Sequence, residues 1–213
     1  MSSTPPSYDP NCRQCPRLAG FLETVKQEHP DYFCAPVPAF GDDRAPLIIV
    51  GLAPGMHGAN ATGRPFTGDF AGVLLYDTLH RFGWTNRPQS ESAQDGLSIE
   101  RARITNAVKC LPPQNKPVGA EIRTCNGYLS RELALAPDGA VVVALGRIAH
   151  DAVLMALGLK RSAYAFGHGA EHRLERLWLI DSYHCSRYNT QTKRLTESMF
   201  HAVFERASTL LGR

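Results

Sequence analysis

The 213-residue chain lacks several features that would have placed it at once, and each absence removes a class. No apolar run approaches the ~20 residues that a membrane-spanning helix needs. The start, Met1 to Pro10, is polar and proline-rich without the apolar centre of a secretion signal, so the expectation is a cytoplasmic protein that makes no membrane contact. There is no internal repeat, which removes solenoids and propellers, and no low-complexity tract beyond the first ten residues, read here as a loose tail. Charge of neither sign dominates: a net +3 permits a nucleic-acid partner without indicating one.

What is present is ordinary globular material, 43% apolar and 20% charged, enough to build a core. Strand and helix signals alternate. Leu18, Phe21, Leu22 and Val25 share one helical face, with Pro30 just past the stop. Leu47–Leu52 and Ala140–Leu145 are short continuous apolar runs, the pattern of strands buried on both faces. Ile104–Val108 and Leu177–Ile180 also read as strands. Helices are expected over Phe70–Phe82, Val118–Leu135, Arg147–Leu157 and from about Arg194. The expectation is one α/β domain over residues 11–213, a three-layer αβα sandwich with a mostly parallel sheet. Ligands then sit beyond the carboxyl ends of the strands, near the loops after Leu52, Val108, Leu145 and Ile180.

Six cysteines without a secretion signal are available for metals rather than disulfides. Cys12-x2-Cys15 can place two thiolates on one centre, and Cys110-x14-Cys125 can add two more. Spacing alone leaves zinc and an iron-sulfur cluster both open. Cys34 and Cys185 read as small buried hydrophobes.

The stretches Gly51-Leu-Ala-Pro-Gly55, His57-Gly-Ala-Asn60 and Thr62-Gly-Arg-Pro-Phe-Thr-Gly-Asp69 closely resemble the first active-site region of type b uracil-DNA glycosylases, the family-five branch found in bacteria and archaea. The resemblance continues through Arg103-Ile-Thr-Asn-Ala-Val-Lys-Cys110, Pro112-Pro-Gln-Asn-Lys-Pro117, Ala144-Leu-Gly-Arg147, Phe166-Gly-His-Gly-Ala170 and Ser182-Tyr-His-Cys-Ser-Arg-Tyr-Asn-Thr190. It implies a monofunctional hydrolase of base-excision repair that flips uracil from duplex DNA, with hypoxanthine a plausible second substrate, acting as a monomer. It also implies a [4Fe-4S] cluster on Cys12, Cys15, Cys110 and Cys125, with zinc the alternative. One departure stands out: Cys185 occupies the place of a family proline, whose loss is expected to loosen the loop presenting His184. A Cys185/His184 nucleophile is disfavoured, because consecutive side chains in extended backbone point apart.

The chemistry assigns roles. Phe66 is the candidate stacking platform, and the Asn106 amide can accept from uracil N3 and donate to O4, a pattern cytosine cannot match. Bond cleavage places negative charge on the departing base, chiefly at O2, and His184 is the candidate donor there. Ala53 and Pro54 are chemically silent where many uracil glycosylases carry a water-activating side chain. Asp69 is, as the resemblance implies, the candidate for positioning water or countering the sugar's positive charge, and it also suits the cap of the following helix. Gly51, Ala53, Gly55, His57, Asn60 and Asn189 are expected around the base, and Arg64, Lys116, Arg147 and Arg187 at DNA phosphates. Two competing functions are a cluster-stabilised DNA-binding protein without catalysis and a nucleotide hydrolase; the latter ranks last because the Gly51–Gly55 loop lacks a P-loop lysine.

Overall fold

The structure is a computed structural model that describes residues 8–213. In chain order the elements are α1 (Pro16–Glu28), β1 (Phe40–Gly41), β2 (Leu47–Gly51), α2 (Ala59–Thr62), α3 (Phe70–Arg81), β3 (Ala102–Asn106), α4 (Gly119–Leu135), β4 (Val141–Leu145), α5 (Arg147–Ala156), β5 (Glu171–Arg173), β6 (Trp178–Ser182), α6 (Arg187–Gln191) and α7 (Glu197–Leu210). The sheet order is β1-β3-β2-β4-β6-β5. The four central strands pair in parallel, and β1 and β5 close the edges in antiparallel fashion.

Strand periodicity sorts the core into two layers. Leu47 and Ile49 of β2 face Leu75 and Leu79 of α3 and Phe200 and Phe204 of α7. Ile48 and Val50 face Leu129 and Leu133 of α4 and Val153 of α5. A third cluster holds the N-terminal arm, with Leu18, Leu22 and Val25 of α1 packed on Val108, Leu111 and Tyr128. These are the three layers expected, with α1 as an appended arm.

Several boundaries differ from expectation. β3 begins and ends two residues early, because Val108 turns into the α1 cluster and the Lys109 ammonium folds back onto Thr105 and Glu132. Asn106 thereby becomes the last residue of the strand. α7 starts at Glu197 rather than Arg194, capped by the Thr196 hydroxyl, which accepts from Met199 N at 3.2 Å. The edge strands β1 and β5 and the short helices α2 and α6 were not foreseen. Of the expected tail, residues 1–7 lie outside the described residues. Tyr8 is not loose, since its hydroxyl donates to Pro36 O at 2.6 Å. No helix among the described residues is long and apolar enough to cross a membrane.

Candidate functional site

At the carboxyl ends of β2, β3 and β6 a cleft of about 390 Å³ opens between the Gly/Pro loop after β2, the start of α3 and the loop after β6. Ala53, Gly55, Phe66, Asp69, Asn106, His184 and Arg187 all line it, so seven of the residues singled out in the sequence meet at one place.

Its floor is set by close approach. Asn106 is 4% exposed, and its side-chain oxygen is buried without a hydrogen-bond partner. A buried carbonyl oxygen left open is costly unless something fills it. Gly51, on the neighbouring strand, does not line the cleft but makes room for it: a Cβ there would overlap the Asn106 oxygen and lie 2.6 Å from Phe66 Cζ. Phe66 is 6% exposed and sits at φ 54°, the left-handed region that bulky side chains avoid. Its turn is held by the Tyr76 hydroxyl, which donates to Pro65 O at 2.7 Å. The buried Arg64 side chain adds a second brace, reaching Thr67 Oγ1 at 2.9 Å, Ser90 Oγ at 2.8 Å and Asp95 Oδ2 at 2.6 Å. Arg64 was expected at a DNA phosphate. Its guanidinium is instead an interior support for Phe66, committed to the Asp95 carboxylate, which that contact and three backbone N–H groups hold far below the usual carboxylate range despite burial.

Asp69 caps α3, with Oδ1 accepting from Gly72 N at 2.8 Å. Oδ2 points at the Gly55–Gly58 loop: a Cβ on Gly58 would lie 2.6 Å from it. Burial raises the Asp69 pKa, and the α3 N–H groups oppose the rise. The cap reading is thus observed, and one oxygen remains over for other work.

The His184 ring lies 6.0 Å from the Phe66 ring at 28°. Burial pushes its pKa down to about 4, so the imidazole is neutral at pH 7 and carries one N–H. The expected loosening by Cys185 does not occur. Cys185 is fully buried in the core, and its thiol donates to Ala71 O at 3.4 Å, tying the His184 loop to the first turn of α3. Burial, with the Asp69 charge nearby, raises the thiol pKa strongly, which agrees with the disfavoured nucleophile.

Other expected residues lie elsewhere. His57 bonds the Tyr32 hydroxyl at 2.8 Å, outside the cleft. Asn60 is fully buried and donates to Cys34 Sγ at 3.5 Å. Asn189 donates to His184 O at 2.8 Å, supporting the backbone behind the ring. It lines a second cavity of about 300 Å³ together with Arg147 and Arg194, and His184 is the wall the two cavities share. Lys116 is exposed and does not line the cleft, and its carbonyl accepts from Arg17. Arg187 is exposed at the rim with its guanidinium 5.1 Å over the Phe70 ring. Sequence reasoning gave no role to Asn115, which lines the cleft from a loop where it and Gln114 take φ of 56° and 55°. Its signal was the Pro112–Pro117 segment, which matched without any residue in it being singled out for the cleft.

The four cysteines converge on one space beside Leu18, Val108 and Tyr128, some way from the cleft. Burial first, and then Cys125, Cys12 and Cys15 as neighbours, push the Cys110 pKa up to about 12. Burial raises Cys125 to about 11, although its sulfur accepts from Lys109 N at 3.3 Å. A bound cation would remove that penalty on the thiolates. Among the described residues, no three of these sulfurs lie within 4.8 Å of one another.

Fold and cleft are those of an α/β enzyme with its site at the carboxyl edge of a parallel sheet. A sequence model of the Uracil DNA glycosylase superfamily matches residues 38–208. The type-5 uracil-DNA glycosylase of Thermus thermophilus is 46% identical over 207 residues, covering 94% of each chain. That of Pyrobaculum aerophilum is 41% identical, over 95% of this chain and 90% of its own. The type-4 enzyme of Archaeoglobus fulgidus is 33% identical, over 79% of this chain and 80% of its own. The chain belongs to the uracil-DNA glycosylase superfamily, on its type-5 branch.

Proposed function

We propose that this protein excises uracil from DNA by hydrolysing the N-glycosidic bond, leaving an abasic site. The observation that carries the reading is the unpartnered, buried Asn106 oxygen in a cleft that the Phe66 ring also lines. A flipped uracil stacks on Phe66, gives its N3–H to Asn106 Oδ1 and takes a hydrogen bond at O4 from the amide nitrogen. Cytosine, with no N3–H, leaves the oxygen unsatisfied, which is how a hydrogen-bonding site rejects a near neighbour.

As the bond to C1′ breaks, charge gathers on the base. The neutral His184 imidazole donates to O2, and burial makes that bond strong where it matters. Asp69 uses Oδ1 to hold α3 and Oδ2 to orient the attacking water or face the sugar's positive charge. Asn115, at the same cleft, can share that water. The water's hydroxyl ends on C1′ and its proton leaves to solvent by way of Asp69, while the departed base takes up one proton from solvent. Arg187 at the rim and Arg147 in the adjoining cavity, with Lys116 farther out, attract the phosphates of duplex DNA. Hypoxanthine fits as a second substrate, since its ring presents a similar N–H and carbonyl edge.

The donor set fits a [4Fe-4S] cluster. The space that the four cysteines line holds no histidine or carboxylate, an all-thiolate set of the kind that iron-sulfur clusters take. When bound, the cluster supplies structural bonds, joining the α1 arm to the end of β3 and to α4. The protein acts as a monomer.

The test is incubation with a uracil-containing duplex, then alkali, with the visible spectrum and the iron and sulfide content of the same preparation recorded. Strand breakage no greater than without enzyme overturns the activity. Zinc in place of iron overturns the cluster.

A further inference from the structure

On the far side of β6 from the base cleft, Asp181 lies fully buried between two histidines that the excision chemistry does not use. His150 of α5 is 1% exposed, and its Nδ1 stands 2.8 Å from Asp181 Oδ1. His172 of β5 is 16% exposed, and its Nε2 stands 3.6 Å from Asp181 Oδ2. That gap is too long for a hydrogen bond, and the His172 Nε2 atom is buried with no partner. One ligand atom from each of the three residues lies within 4.8 Å of the other two.

We propose that His150, His172 and Asp181 form a zinc site, separate from the four-cysteine centre. Two imidazoles and a carboxylate are a common three-ligand zinc set, and ligand arms of about 2.0–2.2 Å place neighbouring donor atoms about 3.3–3.5 Å apart. The His172 to Asp181 spacing, 3.6 Å, lies within about 0.1 Å of that range. His150 carries the second mark of a ligand: its remote nitrogen, Nε2, bonds the Tyr164 carbonyl oxygen at 3.1 Å, the outer contact that fixes the tautomer of a metal-bound histidine. With Nε2–H donated to that carbonyl, the hydrogen bond between Nδ1 and Asp181 needs a second proton on the ring. Zinc replaces the Nδ1 proton, which leaves to solvent, and gives the orphaned His172 nitrogen a partner. Water completes the fourth position.

The three ligands come from α5, β5 and β6, so the ion joins the short edge strand β5 to the sheet. It also fixes the segment from Tyr164 to Gly167, whose Gly167 N–H already donates to Asp181 at 3.3 Å. Phe166 and Gly167 line the cavity that shares His184 with the base cleft. The ion acts through position alone.

The experiment uses the cluster-loaded protein, dialysed against zinc chloride and then against zinc-free buffer. Expected are one zinc per chain, a zinc X-ray absorption spectrum with a nitrogen and oxygen shell at about 2.0–2.1 Å and no sulfur shell at about 2.3 Å, and a raised melting temperature. His172→Gln should lose the zinc and the thermal shift while keeping its iron. No bound zinc in the wild type, a sulfur shell, or unchanged zinc in a folded His172→Gln variant would each overturn the proposal. Should that variant not fold, the wild-type spectrum decides alone.

Discussion

Gly51→Ala tests whether Asn106 and Phe66 form one reading surface. Gly51 is the last residue of β2 and is not among the glycines with positive φ, so the backbone itself tolerates alanine. The cost lies in what the methyl meets: the Asn106 side-chain oxygen, and Phe66 Cζ and Cε2 at 2.6 and 2.8 Å. Phe66 has little freedom to retreat, because its left-handed turn is braced by Tyr76 and Arg64. The Asn106 amide must therefore swing by about 1 Å. Overpacking of this kind costs about 1–3 kcal/mol of stability, and a misplacement of that size at a reacting centre costs about 10²-fold in rate. Single-turnover uracil release from duplex DNA should fall about 100-fold, and the melting temperature by roughly 3–10 °C. Gly55→Ala calibrates the stability term, since its Cβ would lie 3.6 Å from Asp69 Oδ2 in ordinary contact, and it should melt within about 0.5 kcal/mol of wild type. Near-wild-type excision by Gly51→Ala would refute the placement of the base against Asn106.

Asp69→Asn keeps a competent cap for α3 and removes the charge, so single-turnover cleavage should slow by about 10²-fold or more while urea denaturation shifts by less than about 1 kcal/mol; parallel losses in both would leave Asp69 as a cap alone. His184→Ala should cost about 2–4 kcal/mol of transition-state stabilisation in kcat/KM, and an unchanged value would remove the oxyanion role. Burial lowers the His184 pKa from 6.5 to about 4, so the unfolded chain takes up its proton first as pH falls. The stability this neutral ring contributes is complete above about pH 6.5 and lost progressively down to about pH 4, a loss of about 1–3 kcal/mol after allowance for the ring's opening to the cleft; chemical denaturation of wild type against His184→Gln across that window measures it, and identical slopes refute it. Arg64→Ala should destabilise by about 3–5 kcal/mol, because it strands the buried Asp95 carboxylate, yet leave the salt slope of DNA binding unchanged. Arg187→Ala should do the reverse, lowering that slope by about 1; the opposite pattern in filter binding across salt would restore Arg64 to the phosphates.

The central strands were legible because burial on both faces writes a continuous apolar run, as in Leu47–Leu52 and Ala140–Leu145. The edge strands were not: Phe40–Gly41 and Glu171–Arg173 are two and three residues long and show no alternation. Asn106, His184 and Asp69 could be singled out because each belongs to a matched segment on or beside a predicted element. Arg64 was misread for a different reason. A charge in a glycine-rich loop looks like a phosphate ligand until its partner is seen, and Asp95 lies 31 residues on, in a loop with no periodic signal. Asn115 escaped for the converse reason, as an isolated amide among prolines gives no sign of which way its loop turns. Cys185 shows the limit of substituting by type: read as a missing proline it suggests slack, whereas burial and the bond to Ala71 make it a fastening.

The proposed base-reading site and the cysteine centre meet in one five-residue step, which gives the proposed cluster a role in catalysis without any electron transfer. Asn106 ends β3; Ala107 N and Val108 N still bond Gly51 O and Leu52 O at 2.9 and 3.0 Å, holding the floor of the cleft against β2. Lys109 then locks the turn from both sides, its backbone N–H on Cys125 Sγ and its ammonium on Glu132 at 2.9 Å. Cys110 follows directly. With the sulfurs as thiols, burial leaves Cys110 and Cys125 inert and the α1 arm held only by apolar packing. With a cluster bound, the same sulfurs anchor residue 110 to α4 and to α1, and the strand end that carries Asn106 has a fixed point four residues away. Cluster removal should therefore impair uracil discrimination more than DNA affinity, because the arginines proposed to attract phosphates, Arg147 and Arg187, stand on other elements.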